Sequence, residues 1–159
     1  MNLKDFIRSI QDYPKKGILF RDITTLIKDK DAFAEAINQI VERSKKYNFN
    51  KIAAIESRGF VFASAVSYIL KKPFIMLRKK NKLPAKVHSV DFELEYGTAT
   101  IEVHKDSFEK NDNVLIIDDL IATGGTAEAA AKLIKMSEAN VAAFIFVINL
   151  FDLGGCDSL

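Results

Sequence analysis

The sequence predicts an α/β fold in which a central, mostly parallel sheet is flanked by helices. Short apolar runs rich in β-branched residues, such as Lys51 to Ile55 and Val114 to Ile117, have the length of buried strands. Each run is followed by a helix-forming stretch, and strands that alternate with helices pair in parallel. With 159 residues and 48% hydrophobic content, the chain is long enough for one globular domain with a buried core.

The first fifty residues precede this alternation. Apolar residues recur at helical spacing over residues 2 to 11, which predicts an amphipathic helix, and Tyr13 to Gly17 has the composition of a turn. The segment from Ile18 to Ile27 is expected to be irregular. Asp31 is the predicted N-cap of a helix that runs to about Tyr47.

The remaining elements follow the first strand with one interruption. A small-residue helix is expected over Phe60 to Leu70, and a strand over Pro73 to Leu77. The polar stretch from Arg78 to Val90, with four lysines, predicts a long loop, and a hairpin is expected to turn near Gly97. Val141 to Ile148 predicts a further buried strand.

The segment after strand 114–117 has the composition of a binding site for a phosphorylated sugar. Two carboxylates, Asp118 and Asp119, end the strand, and a glycine-containing loop then leads into a strongly helix-forming stretch. Open α/β sheets bind ligands at this edge, where loop N–H groups and a helix N-terminus can hold a phosphate. The residues assigned to the phosphate are Ala122, Thr123, Gly124, Gly125 and Thr126. The carboxylates are acceptors and are therefore expected to bind the two hydroxyls of a ribose.

This order of acids and loop differs from a P-loop and from a dinucleotide-binding fingerprint, neither of which occurs in the chain. It resembles the phosphoribosyl-diphosphate (PRPP) motif of the type I phosphoribosyltransferases. The flanking Leu-Ile-Ala-Thr-Gly-Gly-Thr is similar to the version found in adenine phosphoribosyltransferases. Alone, so short a motif also fits an acidic strand end followed by a turn without a ligand.

Three further stretches resemble the same family, in its order and at its spacing. Residues 16 to 24 are similar to the N-terminal hood that covers the purine, and residues 56 to 60 to the diphosphate loop. Residues 78 to 84 and 94 to 97 are similar to the two ends of a mobile catalytic loop. The resemblance covers nearly the whole chain, which is identified as a member of this family with the type I phosphoribosyltransferase fold.

The resemblance also implies a domain organisation. We expect a single domain over residues 1–159, with a small N-terminal hood over about 1–28, a core over about 29–159 and a mobile loop over about 79–97. The chain stops at Leu159, which is early for the family, so the family's last strand is expected to be missing.

A diphosphate site built from two segments is a further implication. Ser57, Arg58 and Gly59 follow a predicted strand, where N–H groups and a guanidinium group can hold diphosphate oxygens. A non-proline cis peptide is expected near Glu56 and Ser57. Further positive charge is expected from Arg78, Lys79 and Lys82, which in the family can reach a neighbouring subunit's site. On composition alone these three residues also fit a solvated basic loop.

The residues near the purine are assigned by resemblance as well. Glu95 is the candidate for proton handling at the imidazole ring, as base, acid or orienter, and Tyr96 is expected to close over the site. Without the family match, Glu95 also fits an exposed hairpin glutamate paired with a lysine. The adenine pocket is assigned to Leu19, Phe20, Arg21 and Leu150. The apolar members of this set also fit an ordinary core.

The expected ligands are adenine, PRPP, AMP and diphosphate, with Mg²⁺ held mainly through PRPP or diphosphate and no direct protein ligand. A net charge of +2 without a dense basic block argues against a nucleic-acid partner, and no apolar run is long enough to span a membrane. A cytoplasmic location and a homodimer are expected. Two alternatives stay open: a 6-oxopurine (hypoxanthine/guanine) phosphoribosyltransferase and a PRPP-binding regulator.

Overall fold

A computed structural model describes residues 1–17, 19–94, 97–119 and 125–148. Within these residues a 3₁₀ turn over Leu3–Phe6 precedes β1 (Arg8–Gln11), β2 (Leu19–Asp22), α1 (Thr24–Ile27), α2 (Lys30–Ser44), β3 (Lys51–Ile55), α3 (Arg58–Leu70), β4 (Phe74–Lys79), β5 (Val87–Leu94), β6 (Gly97–His104), β7 (Asn113–Asp118), α4 (Gly125–Met136) and β8 (Asn140–Phe146). No helix among them is both long and apolar enough to cross a bilayer.

The main sheet has six strands in the order β5-β6-β4-β3-β7-β8. The strands β4, β3, β7 and β8 run parallel to one another. The antiparallel hairpin of β5 and β6 extends the sheet next to β4, while β1 and β2 form a separate two-stranded sheet. The predicted α/β fold with a mostly parallel sheet is confirmed.

Two apolar clusters hold helices against the two faces of the main sheet. On one face, alternate residues of β3 and β7 such as Ala54 and Ile117 pack with α2 and α3. On the other face, neighbours such as Ile55 and Ile116 pack with α4. Successive side chains of a strand point to opposite faces, so both strands are buried on both sides, and this is why they are continuous apolar runs in the sequence.

The N-terminal segment differs from its prediction. The helix expected over residues 2–11 is wrong: one 3₁₀ turn is followed by β1, which pairs with β2 and sets Arg8 opposite Asp22. Arg8 Nε donates to Asp22 Oδ2 at 3.0 Å. Because this partner lies 14 residues away, local apolar spacing could not predict the strand. Residues 18–27, expected to be irregular, contain β2 and α1.

Two boundaries also differ from prediction. The N-cap of α2 is Asp29 instead of Asp31, because the Asp29 carboxylate accepts from the N–H groups of Asp31 at 3.0 Å and Ala32 at 2.9 Å. The polar loop expected to reach Val90 ends earlier, since β5 starts where Val87 pairs with His104. The hairpin that joins β5 to β6 is confirmed.

Candidate active site

Three neighbouring parallel strands end at one edge of the sheet. Ile55 at the end of β3 is paired with Leu77 of β4, and Ala54 with Ile117 of β7. The residues that follow these strands therefore emerge side by side. The structure in this way brings the two predicted diphosphate segments and the Asp118–Asp119 pair to the same place, as expected for the carboxyl edge of a parallel sheet.

The turn between β3 and α3 contains the expected cis peptide, between Glu56 and Ser57. The Glu56 carboxylate accepts a hydrogen bond from the backbone N–H of Lys79 at 2.5 Å and another from Arg78 Nε at 3.3 Å. Glu56 therefore joins the two segments that are predicted to bind diphosphate. The sequence assigned it no role, although a carboxylate between a buried strand and Ser-Arg-Gly was a signal that could have indicated one.

The first turn of α3 lies directly against the acid pair. Arg58 Nε is 2.7 Å from Asp119 Oδ2. A Cβ atom on Gly59 would lie 3.0 Å from Asp118 Oδ1 and 3.1 Å from the carbonyl oxygen of Ile117. Glycine at this position therefore permits an approach that a side chain would prevent. The Arg58–Asp119 contact was not predicted, since ion pairs between distant residues leave no mark in the local sequence.

The electrostatics of the acid pair favour a ligand that donates hydrogen bonds. Burial, together with the neighbouring charge of Asp119, raises the pKa of Asp118 well above its ordinary value. Asp119 is only 5% exposed, and among the described residues its Oδ2 has no hydrogen-bond partner. Arg58 is near enough for an ion pair but is not aligned as a donor to this oxygen. The pair thus retains acceptor capacity, which a ribose diol could use.

The predicted phosphate loop is described only at its end. Gly125 and Thr126 are half-buried in the first turn of α4, while Ala122, Thr123 and Gly124 lie outside the described residues. On the other side of the acid pair, the N–H of Ile148 donates to the carbonyl oxygen of Asp119 at 2.8 Å. This bond brings Ile148 to the same sheet edge.

The structure describes some of the other predicted site residues and leaves others outside its described ranges. Lys79 and Lys82 are exposed, and Arg78 is half-buried against Glu56. Arg21 is half-buried on β2, opposite Ser9. Leu19 and Phe20 lie in β2, but their side chains, and all of Glu95, Tyr96 and Leu150, are outside the described part of the chain. Their roles remain predictions.

Two features of the surroundings bear on ligands. Within residues 1–17, 19–94, 97–119 and 125–148, no group of three or more acidic, histidine or cysteine side chains is arranged to hold a metal ion. A cavity of about 350 Å³ lies between β5 and α4, and its charged lining is Asp91, Glu93, Glu128 and Lys132. This mainly acidic lining is unsuited to a polyanion, and the cavity meets the predicted PRPP site only at Gly125.

Known proteins are similar to this chain over most of its length. The model of the phosphoribosyl transferase domain family matches residues 23–150. The adenine phosphoribosyltransferase of Pelagibacter ubique (strain HTCC1062) is 83% identical over 159 residues, which are 100% of this chain and 91% of that protein. The chain belongs to the adenine phosphoribosyltransferase family. The resemblance inferred from the sequence motifs is confirmed.

Solved adenine phosphoribosyltransferases share the fold. The enzyme from Thermoanaerobacter pseudethanolicus superposes with a TM-score of 0.88 at 45% identity, over 91% of this chain and 84% of that one. The enzyme from Saccharomyces cerevisiae, complexed with D-2,5-dideoxy-2,5-imino-altritol 1,6-bisphosphate and adenine, gives a TM-score of 0.82 at 32% identity, over 90% and 86% of the two chains. The adenine phosphoribosyltransferase fold therefore extends over most of the described residues.

Proposed function

We infer that the protein is an adenine phosphoribosyltransferase, which converts adenine and PRPP to AMP and diphosphate. The observation that carries this inference is the Asp118–Asp119 pair at the end of β7, with Asp119 buried and Arg58 against it. Acceptors for a ribose and a cation for a diphosphate lie next to each other there, as PRPP requires. Membership of the adenine phosphoribosyltransferase family supports the choice of base.

In the reaction, N9 of adenine forms a bond to C1 of the ribose while the bond from C1 to the diphosphate oxygen breaks, with inversion at C1. The N9 proton is released, and the electron pair of the broken bond leaves with the diphosphate. Positive charge develops on the sugar, so catalysis depends mainly on positioning and on charge stabilisation. In our proposal Asp118 and Asp119 orient the ribose through its hydroxyls, and the end of the loop at Gly125 and Thr126 holds the 5′-phosphate.

The diphosphate is the leaving group, and we assign it to Ser57, Arg58, Gly59, Arg78, Lys79 and Lys82. The hydrogen bonds of Glu56 support this grouping, because they join the β3–α3 turn to the end of β4. Mg²⁺ would neutralise the diphosphate as it departs. The site suits this ion, since the Asp118–Asp119 carboxylates are hard oxygen acceptors beside the expected ribose. In our proposal they act on it through ribose hydroxyls and water.

For the base, we propose Leu19, Phe20 and Leu150 as the apolar slot, with Arg21 bracing the hood. Glu95 handles the proton at the imidazole ring, and Tyr96 closes over the site. The bond from Ile148 to Asp119 supports the assignment of Leu150 to the site, because residue 148 is only two residues earlier in the sequence. The proposal keeps the role of Glu95 open among base, acid and orienter.

The decisive experiment supplies PRPP and Mg²⁺ with adenine, hypoxanthine, guanine or orotate in parallel, and repeats the assay with Glu95→Gln. Product from adenine alone is the expected result, because a base with the opposite donor and acceptor pattern leaves buried groups unpaired. Product from hypoxanthine or guanine would favour the 6-oxopurine alternative. PRPP binding without product from any base would favour the regulator. A lower rate in Glu95→Gln with unchanged PRPP affinity would place Glu95 in the chemical step.

We also infer a homodimer, and the outer face of α3 supports it. Val61 is 39% exposed, Tyr68 84% and Ile69 48%, at spacings that put them on one side of the helix. Met76 of β4 is 44% exposed and lies on the same strand face as Phe74, whose ring is 5.6 Å from that of Phe60 in α3. A contiguous apolar surface of this kind is typical of an interface.

Light scattering coupled to gel filtration tests the dimer. We expect Ile69→Asp to shift the protein toward monomer, because a charge would be buried without a partner. Lys132→Asp on the exposed side of α4 is the control and should remain dimeric. A monomeric parent protein would contradict the inference. A cytoplasmic location stays a prediction from the sequence.

A further inference from the structure

Glu102 is a buried carboxylate to which the proposed reaction gives no role. It lies in the middle of β6 between Ile101 and Val103 and is only 7% exposed. A buried ionised group is costly unless its oxygens accept hydrogen bonds. The partners of Glu102 therefore indicate what it stabilises.

Both oxygens of Glu102 hold parts of the chain around the β4–β5 connection. Oε1 accepts from the backbone N–H of Asn81 at 3.0 Å, and Oε2 accepts from the hydroxyl of Ser89. The strand register explains this reach, because Glu102 lies opposite Arg78 of β4 and opposite Ser89 of β5. One side chain thus connects Asn81, near the start of residues 80–86, with the strand after them.

A second contact from β6 holds the other end of the connection. His104 Nε2 accepts from the backbone N–H of Ala85 at 3.3 Å. Residues 102 and 104 are two apart and therefore lie on one face of the strand. The connection is thus held at Asn81 and at Ala85, and Lys82 lies between these two points.

The connection starts at the candidate active site. It follows Arg78 and Lys79, both of which bond to Glu56 at the carboxyl edge of β3. Asn81 has φ of 67°, so the chain turns sharply at the same residue that donates its N–H to Glu102. Lys82 itself is exposed, and a long exposed side chain on an unsupported segment would lose much conformational entropy on binding an anion.

The geometry points to Glu102 as a positioning residue that holds residues 80–86 in a conformation from which Lys82 reaches the diphosphate of PRPP. Glu102 touches no substrate; it acts through the backbone of Asn81 and the side chain of Ser89. This inference rests on the proposed function, because it takes Lys82 as a diphosphate residue.

Two substitutions at Glu102 distinguish the loss of its hydrogen bonds from the loss of its side-chain volume. Glu102→Met keeps a similar volume and removes both acceptors, whereas Glu102→Gln keeps one acceptor for Asn81 and offers an amide donor to the Ser89 oxygen. We expect KM for PRPP to rise about tenfold in Glu102→Met, as bonds to a charged acceptor are among the stronger ones. Glu102→Gln should stay within about twofold of the parent protein, and KM for adenine should change little in either variant.

Asp112→Asn is the matched control. Asp112 is also a buried, multiply bonded carboxylate, but it lies at the opposite end of the sheet. We expect it to lower thermal stability without changing KM for PRPP. Tryptic cleavage without substrate gives an independent readout, because residues 79–86 contain four lysines. Cleavage there should be faster in Glu102→Met than in Asp112→Asn. Equal increases in KM for both substrates, together with a loss of helical signal, would reduce Glu102 to a folding role.

Lys82→Met, alone and combined with Glu102→Met, tests two claims separately: that Lys82 binds the diphosphate, and that Glu102 positions Lys82. If Glu102 acts through Lys82, the effects on KM for PRPP should be strongly non-additive. An increase in Lys82→Met but none in Glu102→Met would overturn the positioning role and leave the diphosphate assignment standing. No increase in either variant would overturn the assignment of Lys82, and the positioning role with it.

Discussion

The two ends of strands β3 and β7 carry carboxylates in opposite electrostatic states. At the amino end, Asp112 accepts from Asn50 Nδ2 at 2.8 Å and from the N–H of Glu109 at 2.7 Å, and its Oδ2 is 2.8 Å from Lys51 Nζ. Burial alone would raise the pKa of Asp112, but these bonds and the Lys51 charge outweigh it, and the pKa is lowered. At the carboxyl end, burial and a second carboxylate raise the pKa of Asp118.

This difference distinguishes a structural carboxylate, Asp112, from two carboxylates with the properties of a ligand site, Asp118 and Asp119. The protein itself satisfies Asp112, so this group contributes to stability and has little capacity left for another molecule. Asp118 and Asp119 share one charged environment and keep an acceptor without a donor among the described residues. An incompletely satisfied buried group costs stability, and such costs are typically found at binding sites.

The largest expected effect is on catalysis. Asp118→Asn replaces one acceptor oxygen by a donor, so above about pH 8, where Asp118 is ionised, the ribose diol loses a charged partner. We expect kcat/KM for PRPP to fall about 100-fold, since a hydrogen bond to a charged group contributes ~1.5–3 kcal/mol. Steady-state kinetics with saturating adenine measures this. A variant with parental kcat/KM would show that Asp118 does not bind the ribose.

The reciprocal change at the amino end should affect stability alone. Asp112→Asn places an amide donor against groups that are themselves donors and removes the partner of Lys51. We expect the free energy of unfolding to fall by about 2 kcal/mol, measured by urea denaturation, with kcat/KM for PRPP unchanged. A substantial loss of kcat/KM in the folded variant would break the distinction between the two ends.

The pH dependence of stability compares Asp118 with Asp112 in the absence of substrate. Folding raises the pKa of Asp118 from 3.8 to about 8, so the folded protein binds this proton more tightly than the unfolded chain does. Raising the pH through this window should therefore lower the free energy of unfolding, and Asp118→Asn should flatten that decline. The lowered pKa of Asp112 acts in the other direction, and its stabilising contribution is lost only as the pH falls below its ordinary value. Urea titrations across both pH windows distinguish the two carboxylates. If the free energy of unfolding declines as steeply with pH in Asp118→Asn as in the parent protein, another residue causes the decline.

The smallest effect is expected from the contact between α3 and the acid pair. Gly59→Ala brings a methyl group to 3.0 Å from Asp118 Oδ1, so helix and strand must separate slightly. We expect a loss of about 1 kcal/mol in stability and a rise of a few-fold in KM for PRPP, as overpacking of this size costs ~1–3 kcal/mol. Ser64→Ala, at an exposed position of the same helix, is the control. An unchanged KM in Gly59→Ala would show that the acid pair tolerates displacement.

Prediction from sequence succeeded where local pattern and burial agree. The strand predicted over Lys51 to Ile55 has the observed bounds, because a short apolar run buried on both faces has few alternatives. It failed over residues 2–11, where a 3₁₀ turn and a strand form instead of a helix. There the pairing of β1 with β2 and the Arg8–Asp22 contact outweigh a weak local preference.

By itself, the sequence determined the alternation of strands and helices, the family, and the residue types at the end of β7, because these depend on composition and spacing along the chain. Only the tertiary structure decided that Glu56 binds the backbone of Lys79, that Arg58 faces Asp119, and that Glu102 holds Asn81 and Ser89. Each of these contacts joins residues that are separated in the chain and meet only through strand pairing. The first two form where parallel strands end at one edge, and the Glu102 contacts form across the antiparallel neighbours of β6. Their hydrogen bonds and ion pairs depend on distances of about 3 Å, which form only when the whole sheet is assembled.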